Sequence, residues 1–211
     1  MGNSGNRRGR ADARKLDVES LRRDIVFSES LHGQQLTFHS RWGLFSPRGV
    51  DDGTRLLIER LEVRQGDDCL DIGCGYGPVG LVMARLAPGG RTQLVDRDFV
   101  AVEYARKNAD LNGLPNCHAL LSDGFRDLPG EQRFDLVASN LPAKAGNEAY
   151  YILFSDARDH LADGGRLYVV TLSTQRRFIE RVFRELFGNY EKVKQGRSHT
   201  VSLAVKRSSP G

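Results

Sequence analysis

The chain has little cysteine. Cys69, Cys74 and Cys117 are its only thiols in 211 residues, and no C-x-x-C spacing joins them. That removes the spacing on which most cysteine metal sites and redox pairs depend. Cys69 and Cys117 fall in apolar, strand-like runs and read as small buried hydrophobes in a reducing compartment, so the cytoplasm is the expected location. Long apolar runs are missing too. No stretch approaches the roughly 18 residues a membrane helix needs, and the N-terminus lacks the apolar core of a signal peptide. His118, His160 and His199 have no ligand-like spacing and His39 is isolated; with the cysteine pattern this predicts no metal site. Strong charge is absent as well: the net charge is +4 and the pI about 9.1. What basic charge there is collects in two places. Arg7, Arg8, Arg10, Arg14, Lys15, Arg22 and Arg23 stand near the start, and Arg176, Arg177, Arg181 and Arg184 lie near the end. Both groups read either as solvated faces or as phosphate-contacting surfaces.

What is present is one α/β domain. Residues 1–29 read as a basic N-terminal extension, its first part too poor in apolar residues to order itself. Residues 30–207 form the domain and 208–211 a tail. Leu36 to His39 and Trp42 to Phe45 read as two short strands around a turn, and Asp52-Gly53-Thr54 as a helix start. From there strands alternate with helices. Strands are expected at Cys69–Ile72, Thr92–Val95, Cys117–Leu121, Phe134–Ser139 and Arg166–Leu172. Helices are expected near Val79–Leu86, Phe99–Leu111, Asn147–Leu161 and Thr174–Phe187. This alternation predicts a mostly parallel sheet with helices on both faces. Two last strands, Tyr190–Gln195 and Thr200–Lys206, are joined by a link too short for a parallel crossover, so they form an antiparallel hairpin at one edge.

The densest signal is Asp71-Ile72-Gly73-Cys74-Gly75-Tyr76-Gly77-Pro78-Val79-Gly80. A strand ends in an acid, turns on glycines and enters a helix, which is a nucleotide cradle. Gly75 to Gly80 satisfies G-x-G-x-x-G, and Asp96 follows at the end of the next strand, about 20 residues on, where an acid meets ribose hydroxyls. A nicotinamide-dependent oxidoreductase is therefore one reading. Against it, Asp71 directly before the loop would repel a pyrophosphate but suits an ammonium group. No hydride-transfer constellation follows downstream, and Asn140-Leu141-Pro142-Ala143 ends the fourth strand, at the carboxyl edge where such sheets bind ligands.

Asp71 to Gly77 resembles motif I of the class I S-adenosylmethionine-dependent methyltransferases. Asn140 to Ala143 resembles the N-P-P-x motif of those that act on amino groups. The run Asn140 to Gly146, with Gly43-Leu44-Phe45-Ser46 and Asp52-Gly53-Thr54 upstream, is most similar to the small methyltransferase domain family, which includes ribosomal RNA small-subunit guanine-N2 methyltransferases. The likeness covers about residues 30 to 207. It implies a Rossmann-like class I fold: a seven-stranded, mostly parallel sheet with a C-terminal antiparallel hairpin and a short N-terminal β extension. It implies S-adenosyl-L-methionine as cofactor, no metal, and RNA as partner. The cofactor contacts it implies are Asp71, Gly73, Cys74, Gly75, Gly77, Asp96, Arg97, Asp123, Gly124 and Asn140. Within that set Asp71 serves the amino group, Asp96 (or its neighbour Asp98) the ribose, and Asp123 the adenine.

Methyl transfer to an exocyclic amine makes that nitrogen tetrahedral and positive, and acceptors aimed at its N–H groups stabilise the change. By the resemblance these are the Asn140 side-chain oxygen and the Leu141 carbonyl, with Pro142 holding Leu141 extended. Two residues depart from the motif: Leu141 replaces the usual proline, which can keep the main-chain acceptor, and Ala143 stands where many relatives carry an aromatic residue that stacks on the target. Its alanine makes an adenine-N6 or glutamine target less fitting than guanine N2. Substrate contacts are expected from Phe45, Ala143 and Lys144, with Phe45 ahead of Trp42 and Tyr76 as the stacking ring. A non-catalytic RNA-binding module with the same fold is the remaining alternative. No second domain is expected, and substrate recognition is expected from the arginine-rich N-terminus, the edge elements or a partner.

Overall fold

The computed structural model describes residues 17–143 and 145–207. The first five N-terminal basic residues named above, the 208–211 tail and Lys144 lie outside them. A short helix α1 (Val18–Arg22) precedes a hairpin of β1 (Ile25–Leu31) and β2 (Gln34–Ser40). His32 and Gly33 form its two-residue turn, both with positive φ (48° and 73°), which matches the twist of a tight hairpin. After it come α2 (Asp52–Ile58), β3 (Cys69–Ile72), α3 (Pro78–Leu86), β4 (Thr92–Asp96), α4 (Phe99–Leu111), β5 (Cys117–Leu121) and β6 (Phe134–Asn140). The chain closes with α5 (Asn147–His160), β7 (Leu161–Leu172), a 3-10 turn at Ser173–Gln175, α6 (Arg176–Phe187), β8 (Glu191–Gln195) and β9 (His199–Val205).

Seven strands form one sheet in the order β5-β4-β3-β6-β7-β9-β8. The pairs among β5, β4, β3, β6 and β7 are parallel, and β9 runs antiparallel to both β7 and β8. The expected sheet and its edge hairpin are therefore present. The central strands are buried on both faces, as a parallel sheet requires. Cys69, Leu94 and Ala138 face α2, α3 and α4, whereas Leu70, Val95 and Val137 face α5 and α6.

The N-terminal part differs from the sequence reading. The partner of the strand at Leu36–His39 is Ile25–Leu31, upstream, so ordered structure begins before residue 30. Ser28, Glu29 and Ser30 in β1 mask its apolar alternation. Trp42 to Phe45 is no strand, because Gly43 (φ 106°) and Ser46 (φ 46°) bend the chain away from extension before Pro47.

The hairpin is bound to the domain by α4. Asn108 accepts from the His39 N–H (2.7 Å) and donates to the His39 carbonyl (2.9 Å); Asn112 does the same for Thr37 (3.0 and 2.8 Å). Four residues of helix rise about 6 Å and two residues of strand advance about 6.6 Å. Two asparagines one helical turn apart therefore stand in for a neighbouring strand along β2. Asn108 also donates to the Tyr76 carbonyl (2.9 Å), which joins the hairpin to the glycine loop.

Candidate functional site

β3 lies at the point where strand order reverses: the chain moves outward through β4 and β5, then returns to β6 on the other side of β3. In such sheets the crevice beyond the strand ends at this reversal is the ligand site. The glycine loop follows β3, and Asn140 ends β6, its direct neighbour. Ser139 donates its hydroxyl to the Ile72 carbonyl (2.8 Å), which fastens the two strand ends together.

The glycines divide by role. Gly73 and Gly75 have positive φ (70° and 55°), and a Cβ on either would meet no protein atom within 4 Å. Open space above a left-handed backbone is the cradle a ligand needs. Gly77 (φ 98°) also turns the chain, but a Cβ there would stand 2.6 Å from Leu81 Cδ1. One on Gly80 would come within 2.4 Å of Leu94 Cγ. The glycine requirement at Gly80 is thus internal, the close packing of α3 on β4.

Asp71 is only 2% exposed and accepts from the Gly80 N–H at 2.8 Å. Burial pushes its carboxyl up to about 7; the Gly80 N–H opposes the shift and the Asp96 charge adds to it. Through that bond it holds the first turn of α3 to the end of β3. Asp96 accepts from the Gly75 N–H through Oδ2 and from the Asp98 N–H through Oδ1, both at 2.9 Å. Asp98 caps α4 through the Val100 N–H (2.9 Å) and is exposed beside Asp96. Arg97 is exposed beside them.

Cys74, expected at the cofactor, sits between the two cradle glycines. Its side chain is buried in the core, its N–H goes to the Val95 carbonyl (3.0 Å), and its carbonyl takes the Gly77 N–H (2.9 Å). After β5, Ser122 organises its own turn by donating to the Gly124 carbonyl (2.9 Å) and accepting from the Asp127 N–H (3.2 Å). That leaves Asp123 exposed beside Gly124 (φ 64°).

Asn140 donates through Nδ2 to Thr54 Oγ1 at 2.8 Å, and both Asp51 carboxylate oxygens lie 3.4 Å from that nitrogen. In the following loop, Leu141 is buried and donates to the Val170 carbonyl (3.1 Å). The Pro142 carbonyl accepts from Tyr150 Oη (2.5 Å) and the Ala143 carbonyl from Gln175 Nε2 (3.3 Å). Among the described residues no donor takes the Leu141 carbonyl. Pro142 and Ala143 are exposed.

Of the three candidate stacking rings, Phe45 is 69% exposed and Trp42 41%, the latter covered by Arg48 at 4.6 Å. Tyr76 is 3% exposed and packs edge-on against Phe27 and Phe38, with ring centres 5.9 and 5.7 Å away. That removes Tyr76 from the stacking role. Its hydroxyl instead donates to the Ser46 carbonyl (3.3 Å), holding the Phe45 loop to the glycine loop. Asp51 and Thr54 were not expected at the site. Their signal in the sequence is the D-x-x-T relation of a capped helix start, with Asp51 as the N-cap one residue before the helix begins at Asp52. Among the described residues no group of three or more His, Cys, Asp or Glu side chains stands together as a metal would require.

The parallel sheet, the open glycine cradle, the acid at the end of β4 and the Asn140 segment define a class I methyltransferase fold. The methyltransferase small domain family model matches residues 35–202. The chain belongs to that family, which decides against the oxidoreductase reading. It is 33% identical over 184 residues to the Bacillus subtilis protein YbxB, covering 86% of this chain and 91% of that one. It is 32% identical over 168 residues to the ribosomal RNA small subunit methyltransferase C of Haemophilus influenzae, covering 77% of this chain and 49% of that one. Among solved structures, the Thermus thermophilus 16S rRNA N2 methyltransferase RsmC, in complex with AdoMet and guanosine, superposes with a TM-score of 0.79 at 31% identity. That match covers 87% of this chain and 51% of the other. The chain therefore spans nearly all of YbxB and about half the length of the two named rRNA methyltransferases.

Proposed function

We propose that the chain transfers a methyl group from S-adenosylmethionine to an exocyclic amine, guanine N2 of ribosomal RNA. The observation that carries this reading is the juxtaposition of Asn140 with the glycine cradle across adjacent strands. The RsmC likeness, in a structure that holds AdoMet and guanosine, supports it. The cradle fits such a cofactor: open space over Gly73 and Gly75, a carboxylate at Asp96 and a buried acid before the loop. When bound, the cofactor supplies a methyl already activated on a sulfonium, so the amine lone pair forms the N–C bond as the S–C pair returns to sulfur and an amine proton leaves to water.

What the chain contributes is placement and charge. Asp96 and the Gly73–Gly75 backbone seat the adenosine part, and Asp71 suits a cationic group above the loop. The Asn140 oxygen and the Leu141 carbonyl accept from the amine N–H groups and stabilise the positive charge that develops there. Pro142 fixes Leu141, and the Tyr150 and Gln175 contacts hold the next two carbonyls away from that task. Phe45 and Ala143 border the acceptor side, and Lys144 is assigned to the same edge from its place in the sequence.

The test is incubation with labelled donor and either small or large ribosomal subunits, transfer RNA or total protein, followed by mass mapping. Label on guanine N2 of small-subunit RNA is expected. A relative named ribosomal RNA large subunit methyltransferase G, from Shewanella amazonensis and 32% identical over 181 residues, makes the large subunit the second substrate to try. Asn140→Ala should lower transfer about 100-fold or more while S-adenosylhomocysteine still binds. Label in protein alone, or undiminished transfer by Asn140→Ala, overturns the reading.

A further inference from the structure

We infer that Asp51 and Thr54 fix the orientation of the Asn140 amide, so that its oxygen faces the acceptor amine. The inference rests on Asn140 as the group that accepts from that amine. An asparagine has two nearly isosteric ends, and a half-turn about its last bond exchanges an acceptor for a donor. Only one end can stabilise a nitrogen that is gaining positive charge. Something must therefore choose between them before substrate arrives.

The choice is made behind Asn140. Asp51 caps α2, taking the Gly53 and Thr54 N–H groups on Oδ1 at 2.9 and 3.2 Å. Its Oδ2 takes the Thr54 hydroxyl proton at 2.5 Å. A hydroxyl has one proton. With it given to Asp51, Thr54 presents only lone pairs to Asn140, and Asn140 Nδ2 meets them at 2.8 Å. Both Asp51 oxygens stand 3.4 Å from the same nitrogen. A reversed amide would place its oxygen against a hydroxyl without a free proton and against a carboxylate. That is three acceptors and no donor, in a place where Thr54 is 4% exposed and water cannot easily compensate.

Two consequences follow from the chemistry. The amide oxygen is turned away from Thr54, toward the open side of the site. The Asp51 charge also polarises the Thr54–Asn140 chain in one sense, raising electron density on the outward oxygen where positive charge develops. Asp51 and Thr54 touch neither cradle nor acceptor in this scheme; they are positioning residues that act through Asn140.

Three variants test the inference. Thr54→Val keeps shape and removes the acceptor, and Thr54→Ser restores it. Asp51→Asn keeps a good helix cap but can donate to Thr54, freeing the Thr54 proton to turn toward Asn140. In 15N-labelled protein without ligand, the Asn140 side-chain amide signals are assigned by their loss in Asn140→Ala. Their exchange with solvent should speed up in Thr54→Val and return to the original rate in Thr54→Ser. With ribosomal subunits as substrate, kcat should fall about 10- to 100-fold in Thr54→Val and Asp51→Asn. Thr54→Ser should recover it, and S-adenosylhomocysteine affinity should stay unchanged throughout. Unaltered amide exchange in Thr54→Val overturns the inference. So does wild-type kcat in Thr54→Val and Asp51→Asn while Asn140→Ala is inactive, a result that leaves the role of Asn140 standing. Full activity of Asn140→Ala overturns the role itself, and with it the part assigned to Asp51 and Thr54.

Discussion

A carboxyl group shielded from water holds its proton longer, and Asp71 is the clearest case in this molecule. Its ordinary pKa of 3.8 rises to about 7 on folding. Between those values the unfolded chain releases the proton while the folded chain keeps it, so stability falls as pH rises across the window and levels off above it. Asp71→Asn keeps an acceptor for Gly80 and removes the titration. Urea unfolding from about pH 4 to pH 8 should show the wild type losing stability relative to Asp71→Asn up to about pH 7, then a constant difference. The thiols make the complementary point. Burial pushes Cys69 and Cys117 up to about 12, and Cys74 well above the usual thiol range. Native protein at mildly alkaline pH should resist a thiol-reactive chromophore that labels all three cysteines in urea. The burial of Cys69 and Cys117 was readable from the apolar runs around them. That of Cys74 was not, because a loop residue between glycines gives no period from which to tell inside from outside.

Among the elements, the α4–β2 seam and the α3–β4 contact have the sharpest geometry. Asn108 is fully buried and serves the backbone of both His39 and Tyr76. Asn108→Ala leaves those groups without partners and should cost about 2–3 kcal/mol in chemical denaturation, with faster amide exchange in β2 and in the glycine loop together. Asn112→Ala, at a half-buried position that serves Thr37, should cost less. Gly80→Ala forces Leu94 to move and should destabilise by about 1–3 kcal/mol, although Gly80 faces no ligand. The strands from β3 to β9 and helices α3 to α6 were legible because apolar runs alternate with turn residues at each boundary. β1 was not, since serines fill its exposed face beside Val26 and its inward face is broken by Glu29, which pairs with Arg55. Asn108 and Asn112 likewise read as polar positions on a surface helix. Their task appears only when a strand lies beside that helix.

For the whole molecule, topology decides what can be reached from the sequence. The reversal of strand order at β3 brings residues 73–77 and 140–143 together, and alternating strands and helices already imply such a meeting. The joining of Asp51 and Thr54 to Asn140 needs α2 to lie over the end of β6, and no local pattern encodes that. Charge also acts at this scale. The net charge of +4 includes exposed Arg177, Arg181, Lys194 and Arg197 on the C-terminal elements. On the proposed function, affinity for RNA should fall steeply as potassium chloride is raised from about 50 to 200 mM, whereas affinity for S-adenosylhomocysteine should hardly change. A parallel loss of both would place the salt effect on folding rather than on phosphate contacts.

Asp96 already has each of its oxygens anchored by a backbone N–H, from Gly75 and from Asp98. A carboxylate oxygen offers about two lone-pair directions, so on the proposed function one on each oxygen is left to receive a vicinal diol. The freedom of that side chain is surrendered when the domain folds, not when a nucleoside arrives. Ligand binding is thereby spared an entropic penalty of about 0.5–1.5 kcal/mol for ordering a side chain. In calorimetric terms, a ligand lacking one hydroxyl should lose chiefly enthalpy, since the receptor side of the contact has little disorder left to regain.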